Sequence, residues 1–202
     1  VDEILERLHT LQKDLEAEID LLLEERRAQF RYRLERGRVR FEEEVKALQE
    51  RHRMDLWAYL RDARLGHLLS APVIYSVLVS LALLDAAITA YQHICFRVYG
   101  IPRVQRGEYL VMDRQHLAYL NAIERLNCLY CGYANGLVAY AREITSRTEQ
   151  YWCPIKHARR TPDPHQRMER FVDYGDAEAY RARLEALRRE VAKLRDEAQE
   201  RP

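Results

Sequence analysis

The sequence predicts an all-α fold. Three observations carry that expectation. Gly (7) and Pro (6) are scarce among 202 residues. Apolar residues recur at three- and four-residue steps near both ends. A charge-poor stretch lies between them, long enough for one continuous helix. The chain divides accordingly into an N-terminal coiled-coil helix (residues 1–65), a hydrophobic helix (66–98), a Cys/His-containing helical module with a linker (99–175) and a C-terminal coiled coil (176–202).

In residues 1–65, Ile4, Leu8, Leu11, Leu15, Ile19 and Leu22 form a narrow apolar stripe between charged residues, the pattern of a coiled-coil seam. The stripe loosens at residues 26–40, where Arg26, Arg27, Arg31, Arg33, Arg36, Arg38 and Arg40 face one acid, Glu35. Gly37 weakens a helix there by about 1 kcal/mol relative to Ala. Val39, Phe41, Val45 and Leu48 then resume an apolar face. The arginine run suits anionic lipid headgroups or nucleic acid. It equally suits a solvated face that pairs with Glu42, Glu43 and Glu44. At the other end, Tyr180, Leu184, Leu187, Val191, Leu194 and Ala198 keep 4-3-4-3-4 spacing. A helix this short is marginal alone and needs a partner, either the N-terminal coil or another subunit. Thr161-Pro-Asp-Pro164 and Gly175 mark the segment before it as a linker.

Asp85 is the only formal charge from residue 65 to residue 96. As a helix, residues 72–96 reach about 37 Å, enough for a bilayer core. Trp57, Tyr59, Tyr91 and Tyr99 flank them as interfacial anchors would. Asp85 costs about 3 kcal/mol on insertion scales, and eleven Val, Ile, Leu and Phe residues return roughly 5 kcal/mol before the polar groups are charged against it. A membrane span and a buried bundle helix both satisfy that sum. Ala82, Asp85, Thr89 and Gln92/His93 share one face, so Asp85 and His93 are the candidate intramembrane polar residues. The uncharged residues 126–141 offer a second, shorter half of a hairpin.

The most specific chemistry lies in Cys128-Leu-Tyr-Cys131 and Cys153-Pro-Ile-Lys-His157. Three thiolates and an imidazole make a closed tetrahedral donor set for structural zinc, and iron takes the same donors. The set converges within one chain only if the helix after Cys131 breaks, at Gly132 or Gly136, or if a second subunit joins the halves. Glu124, Cys128, Cys131 and Asn135 share a stripe. A thiol oxidoreductase built on Cys128 and Cys131, with Glu124 beside them, is therefore the enzymatic alternative. Ferritin-like Glu-x-x-His pairs, phosphate-binding glycine loops and nucleophile elbows are absent from the sequence.

The formal net charge of +1 gives no global field for nucleic acid. The ratio of 29 Arg to 4 Lys points to GC-rich bacterial coding. Four cysteines are too few for a disulfide scaffold, and the charged opening residues do not read as a signal peptide. Arg103-Val-Gln-Arg-Gly-Glu-Tyr-Leu-Val-Met-Asp-Arg-Gln-His116, with the two cysteine motifs after it, resembles hypothetical bacterial proteins. That resemblance implies no activity, fold or ligand.

The leading expectation is a membrane-associated coiled-coil scaffold or assembly protein at the cytoplasmic face of a bacterial inner membrane. A structural Cys3His zinc site stiffens it, anionic lipid contacts its arginines, and a second copy or a helical protein joins its coils. A soluble cytoplasmic coiled coil that binds nucleic acid or regulates is the third reading.

Overall fold

The structure, a computed structural model, describes residues 2–35 and 38–199, and the side chains of 6–8, 10–32 and 39–194. The chain is predominantly helical, as the sequence predicts. It separates into two compact units, Val1–Asp62 with Asp113–Cys128, and Ala63–Met112 with Leu129–Pro202.

In the first unit, α1 spans Asp2–Gln29. Its stripe residues Leu8, Leu11, Leu15, Ile19 and Leu22 all remain more than half exposed. The helix does not continue to residue 65. An antiparallel ribbon of β1 (Tyr32–Glu35) and β2 (Arg38–Phe41) interrupts it. The reason is legible in the residues. Tyr32, Leu34, Val39 and Phe41 alternate with charged residues, a period of two rather than 3.6. The register sets Tyr32 opposite Phe41, with ring centroids 5.5 Å apart, and Arg33 opposite Arg40. Arg31 turns the chain with a φ of 51°. Two short helices follow, α2 (Glu43–Glu50) and α3 (Leu56–Asp62). Asp55 caps α3 by accepting the Trp57 and Ala58 N–H groups at 2.9 and 3.2 Å.

The second unit opens with α4 (Leu65–Tyr91), which runs through a π-helical turn (Gln92–Phe96) into α5 (Arg97–Tyr99). Gly100, at φ 69°, ends the run in the left-handed conformation that favours glycine. A short α6 (Arg106–Tyr109) follows. Then α7 runs unbroken over Ala122–Trp152, and α8 spans Ala177–Gln199.

Side-chain contacts advance together along α4 and α7: Tyr75 with Tyr130, Asp85 with Tyr133, Gln92 with Tyr140, Tyr99 with Tyr151. The two helices therefore run in the same direction, not as the hairpin the apolar pattern suggested. The core gathers Phe96, Ile101, Val104, Leu137, Tyr140, Ile144 and Val191. Gln92 is buried among them, and both ends of its amide are used. It donates to the Tyr140 hydroxyl and accepts the Val104 N–H at 3.0 Å.

The C-terminal coil finds its partner within its own unit. Leu187 and Val191 are buried, Gln150 donates to the Leu187 carbonyl at 3.1 Å, and Arg188 donates to the Tyr151 carbonyl at 2.9 Å. The expected linker is also anchored. Phe171 and Val172 are buried, and Ile155 bridges Val172 in parallel. Arg167 reaches Glu143 at 2.5 Å, and Asp163 pairs with Arg142 at 2.9 Å.

Gly136 sets how closely the 109–110 segment sits on α7. A Cβ there would lie 2.6 Å from the Tyr109 carbonyl oxygen and 3.0 Å from Leu110 Cα, both backbone atoms. Gly136→Ala is expected to destabilise the fold by about 1–3 kcal/mol, despite the higher helix propensity of alanine. Thermal unfolding of the variant beside the parent protein measures it.

Candidate functional site

Cys128 and Cys131 lie three residues apart on α7, Cys128 partly covered and Cys131 exposed. Because α7 continues unbroken to Trp152, Cys153 stands 22 residues beyond Cys131, about 33 Å of helical rise. Gly132 and Gly136 do not break the helix; both are buried within it. The Cys153–His157 half is not helical either. Pro154 follows the last turn, is buried, and directs the chain to the bridge with Val172, leaving His157 exposed. The Cys153 thiol is pushed up from its ordinary value of 9.0, first by burial and then by the Glu149 carboxylate. Among the described residues no three His, Cys, Asp or Glu side chains gather about one point. The four expected zinc or iron ligands thus stay in two separated pairs within one chain.

Glu124 has a local task. Its Oε2 accepts the Asn121 N–H at 2.8 Å, and Asn121 Oδ1 accepts the N–H groups of Ile123 and Glu124 at 3.0 Å. This is a reciprocal capping box at the start of α7. The carboxylate expected beside the thiols is occupied with starting the helix.

Of the seven arginines, Arg26 and Arg27 sit in the last turn of α1, where positive charge opposes the helix dipole. Arg31 pairs with Glu42 at 2.5 Å and Glu44 at 3.5 Å, as the acidic run suggested. Arg33, Arg38 and Arg40 belong to the ribbon strands. Arg36, and the side chains of Arg33 and Arg38, lie outside the described residues.

A convergence of polar groups surrounds Asp85 on the face of α4 that the sequence singled out. Its Oδ2 accepts from Arg106 at 2.5 Å and from the Tyr133 hydroxyl at 3.0 Å, while Thr89 Oγ1 donates to Oδ1 at 3.3 Å. His93 Nδ1 lies 2.7 Å from the Thr89 carbonyl. A carbonyl only accepts, so Nδ1 carries the hydrogen. The Asp85 side chain is 16% exposed and that of Arg106 is 48% exposed. The polar face read from the sequence is thus real, and Thr89 links Asp85 to His93 across about two helical turns. Arg106 and Tyr133 were not singled out as site residues. A lone acid in an apolar helix called for a cation, and residues 97–106 carry the nearest arginines that follow it.

The apolar helix is the third feature. The segment Leu65–Tyr99 is long and apolar enough to cross a membrane, with none of its most apolar window buried. Residues 65–84 carry no formal charge, and none of them is buried; only Ala71, Tyr75 and Leu81 are partly covered. These twenty residues rise about 30 Å. The uncovered stretch ends at Leu84, immediately before Asp85. Asp85 directly follows this uncharged, exposed stretch and lies within the longer apolar segment.

The chain matches no protein-family model, no curated protein and no solved structure.

A separate charged cluster holds the 158–175 strap. Glu143 accepts from Arg147 at 2.7 Å and from Arg167 at 2.5 Å. Burial raises its carboxyl, but Arg167 and Arg147 together outweigh that and hold it below its ordinary value of 4.5. A carboxyl depressed in the folded state stabilises above its unfolded value and loses that contribution as pH falls through the folded one. Stability is expected to decline as pH drops below about 4.5. Glu143→Gln flattens that slope and costs roughly 2 kcal/mol at neutral pH. Denaturant unfolding at stepped pH reads both. For the cysteines, Cys153→Ser and His157→Ala leave unchanged any zinc held at Cys128 and Cys131 in a single chain, as elemental analysis of the monomer reports.

Proposed function

We propose that this protein is a membrane-associated scaffold. The uncharged residues 65–84 of α4 anchor it, and α1 serves as an arm for assembly. One observation carries the reading: twenty consecutive uncharged residues, about the thickness of a bilayer core, are left uncovered by the rest of the chain. A soluble monomer rarely leaves so large a contiguous apolar surface to water. The helix beside α4 supports the reading, since residues 129–141 of α7 carry no formal charge. The Asp85–Arg106 pair sits at the end of the anchor, where insertion costs less than at its centre.

The apolar stripe of α1 accepts a second copy or a helical partner. The arginine-bearing ribbon beside it meets anionic headgroups electrostatically. A metal enters this reading only between copies, because the donor pairs are far apart in one chain.

Fractionation tests the anchor. The full chain is expected in the membrane pellet after a carbonate wash and to need detergent for release. Recovery in the carbonate supernatant overturns the reading and assigns the bare face to protein partners instead. The arm has its own measurement. Leu11→Glu with Leu15→Glu is expected to reduce the assembly size in light scattering while leaving membrane retention unchanged.

A further inference from the structure

We infer that the groove beside Asp85 holds the headgroup of an anionic phospholipid, with the lipid's chains lying along α4. The inference rests on the membrane reading of α4 and names the ligand at the end of that anchor.

An open groove of about 680 Å³ runs along α4, walled by Ala82, Ala86 and Ala90, and reaches Arg106. A second hollow of about 220 Å³ adjoins it, sharing Thr89, His93 and Arg106 and adding Arg103. The combined rim is cationic. Asp85 is the only acid lining either hollow, and Arg106 answers it with one of its several donors. Arg106 remains half exposed, so its other donors face outward. Arg103 is exposed and has no hydrogen-bond or ion-pair partner among the described residues. One guanidinium is thus wholly uncommitted and a second only partly used, a pairing suited to phosphate. His93 donates through Nδ1 to the Thr89 carbonyl, which leaves Nε2 as an acceptor for a headgroup hydroxyl.

The other wall decides between a lipid and a free anion. Alanines at positions 82, 86 and 90 give the groove a shallow apolar floor. That floor continues without a charged residue into the uncovered residues 65–84. Inorganic phosphate has no use for such a floor, whereas an acyl chain buries itself along it. The hollows combine a phosphate-binding rim, a hydroxyl acceptor and an apolar track, and phosphatidylglycerol supplies the matching three groups.

The test uses the full chain, purified from membranes in neutral detergent and titrated in native mass spectrometry. The probes are dioleoyl phosphatidylglycerol, dioleoyl phosphatidylcholine and sodium phosphate. The parent protein is expected to retain phosphatidylglycerol about tenfold better than phosphatidylcholine. Arg103→Gln erases that preference, whereas Arg159→Gln, at an exposed arginine elsewhere, keeps it. Ala86→Trp fills the groove and reduces retention of both lipids. Equal retention of the two lipids by the parent overturns the inference, as does a preference that survives Arg103→Gln. Displacement of phosphatidylglycerol by equimolar phosphate makes the site a plain anion site and overturns the lipid assignment. A chain that pellets with membranes yet shows no preference sinks this inference alone. A chain freed by carbonate removes the membrane reading, and this one with it.

Discussion

The second unit depends on how one buried amide is satisfied. Gln92 stands within an apolar core, where an unpaired amide would cost several kcal/mol. Its NH₂ group donates to the Tyr140 hydroxyl, and its oxygen accepts the Val104 N–H. Those two bonds tie together the end of α4, the segment after Gly100 and the middle of α7. Once they form, Phe96, Ile101 and Leu137 close around them, and Val191 brings α8 to the same centre. The polar link fixes register along helices whose apolar surfaces alone would tolerate sliding, a use of buried polar groups known from coiled coils.

The surface follows from that constraint. With Gln92 turned inward, Asp85, Thr89 and His93 are left on the groove side of α4, and the segment carrying Val104 also carries Arg103 and Arg106. Arg106 reaches Asp85 because Val104, two residues earlier, is pinned by Gln92. Fold and candidate site are therefore not separable here. The contact that fills the interior also presents the arginines.

Much of this organisation was legible in the residues. Helical periodicity gave the all-α class, the charge-free stretch gave the apolar helix, and the polar face of α4 gave Asp85 and His93. The misreadings have identifiable causes. Residues 26–40 read as a loosening of one helix because the apolar stripe resumes at Val39, Phe41, Val45 and Leu48; the two-residue alternation of Tyr32, Leu34, Val39 and Phe41 is the stronger signal. The cysteine spacing made convergence within one chain depend on a break after Cys131, and α7 runs unbroken to Trp152. Glu124 was set beside the thiols because a stripe was traced from it; the Asn121-x-x-Glu124 pattern at the helix start was equally visible. The partner of α8 and the pairing of Arg106 with Asp85 depend on contacts between distant segments, which periodicity does not encode.

The π-helical turn at Gln92–Phe96 has a consequence in phase. A helix of α geometry advances 100° per residue, and a wider turn accommodates one residue more than α winding would. Asp85, Thr89 and His93 follow one another at four-residue steps on one side while Gln92 and Phe96 look inward, and the wide turn sets the phase in which the residues after it continue. Excise one residue from this turn and everything after it rotates by about a quarter circle, swinging Phe96 out of the interior. The irregular turn works as a rotational spacer between a greasy rod and a packed head, setting the angle at which one is mounted on the other.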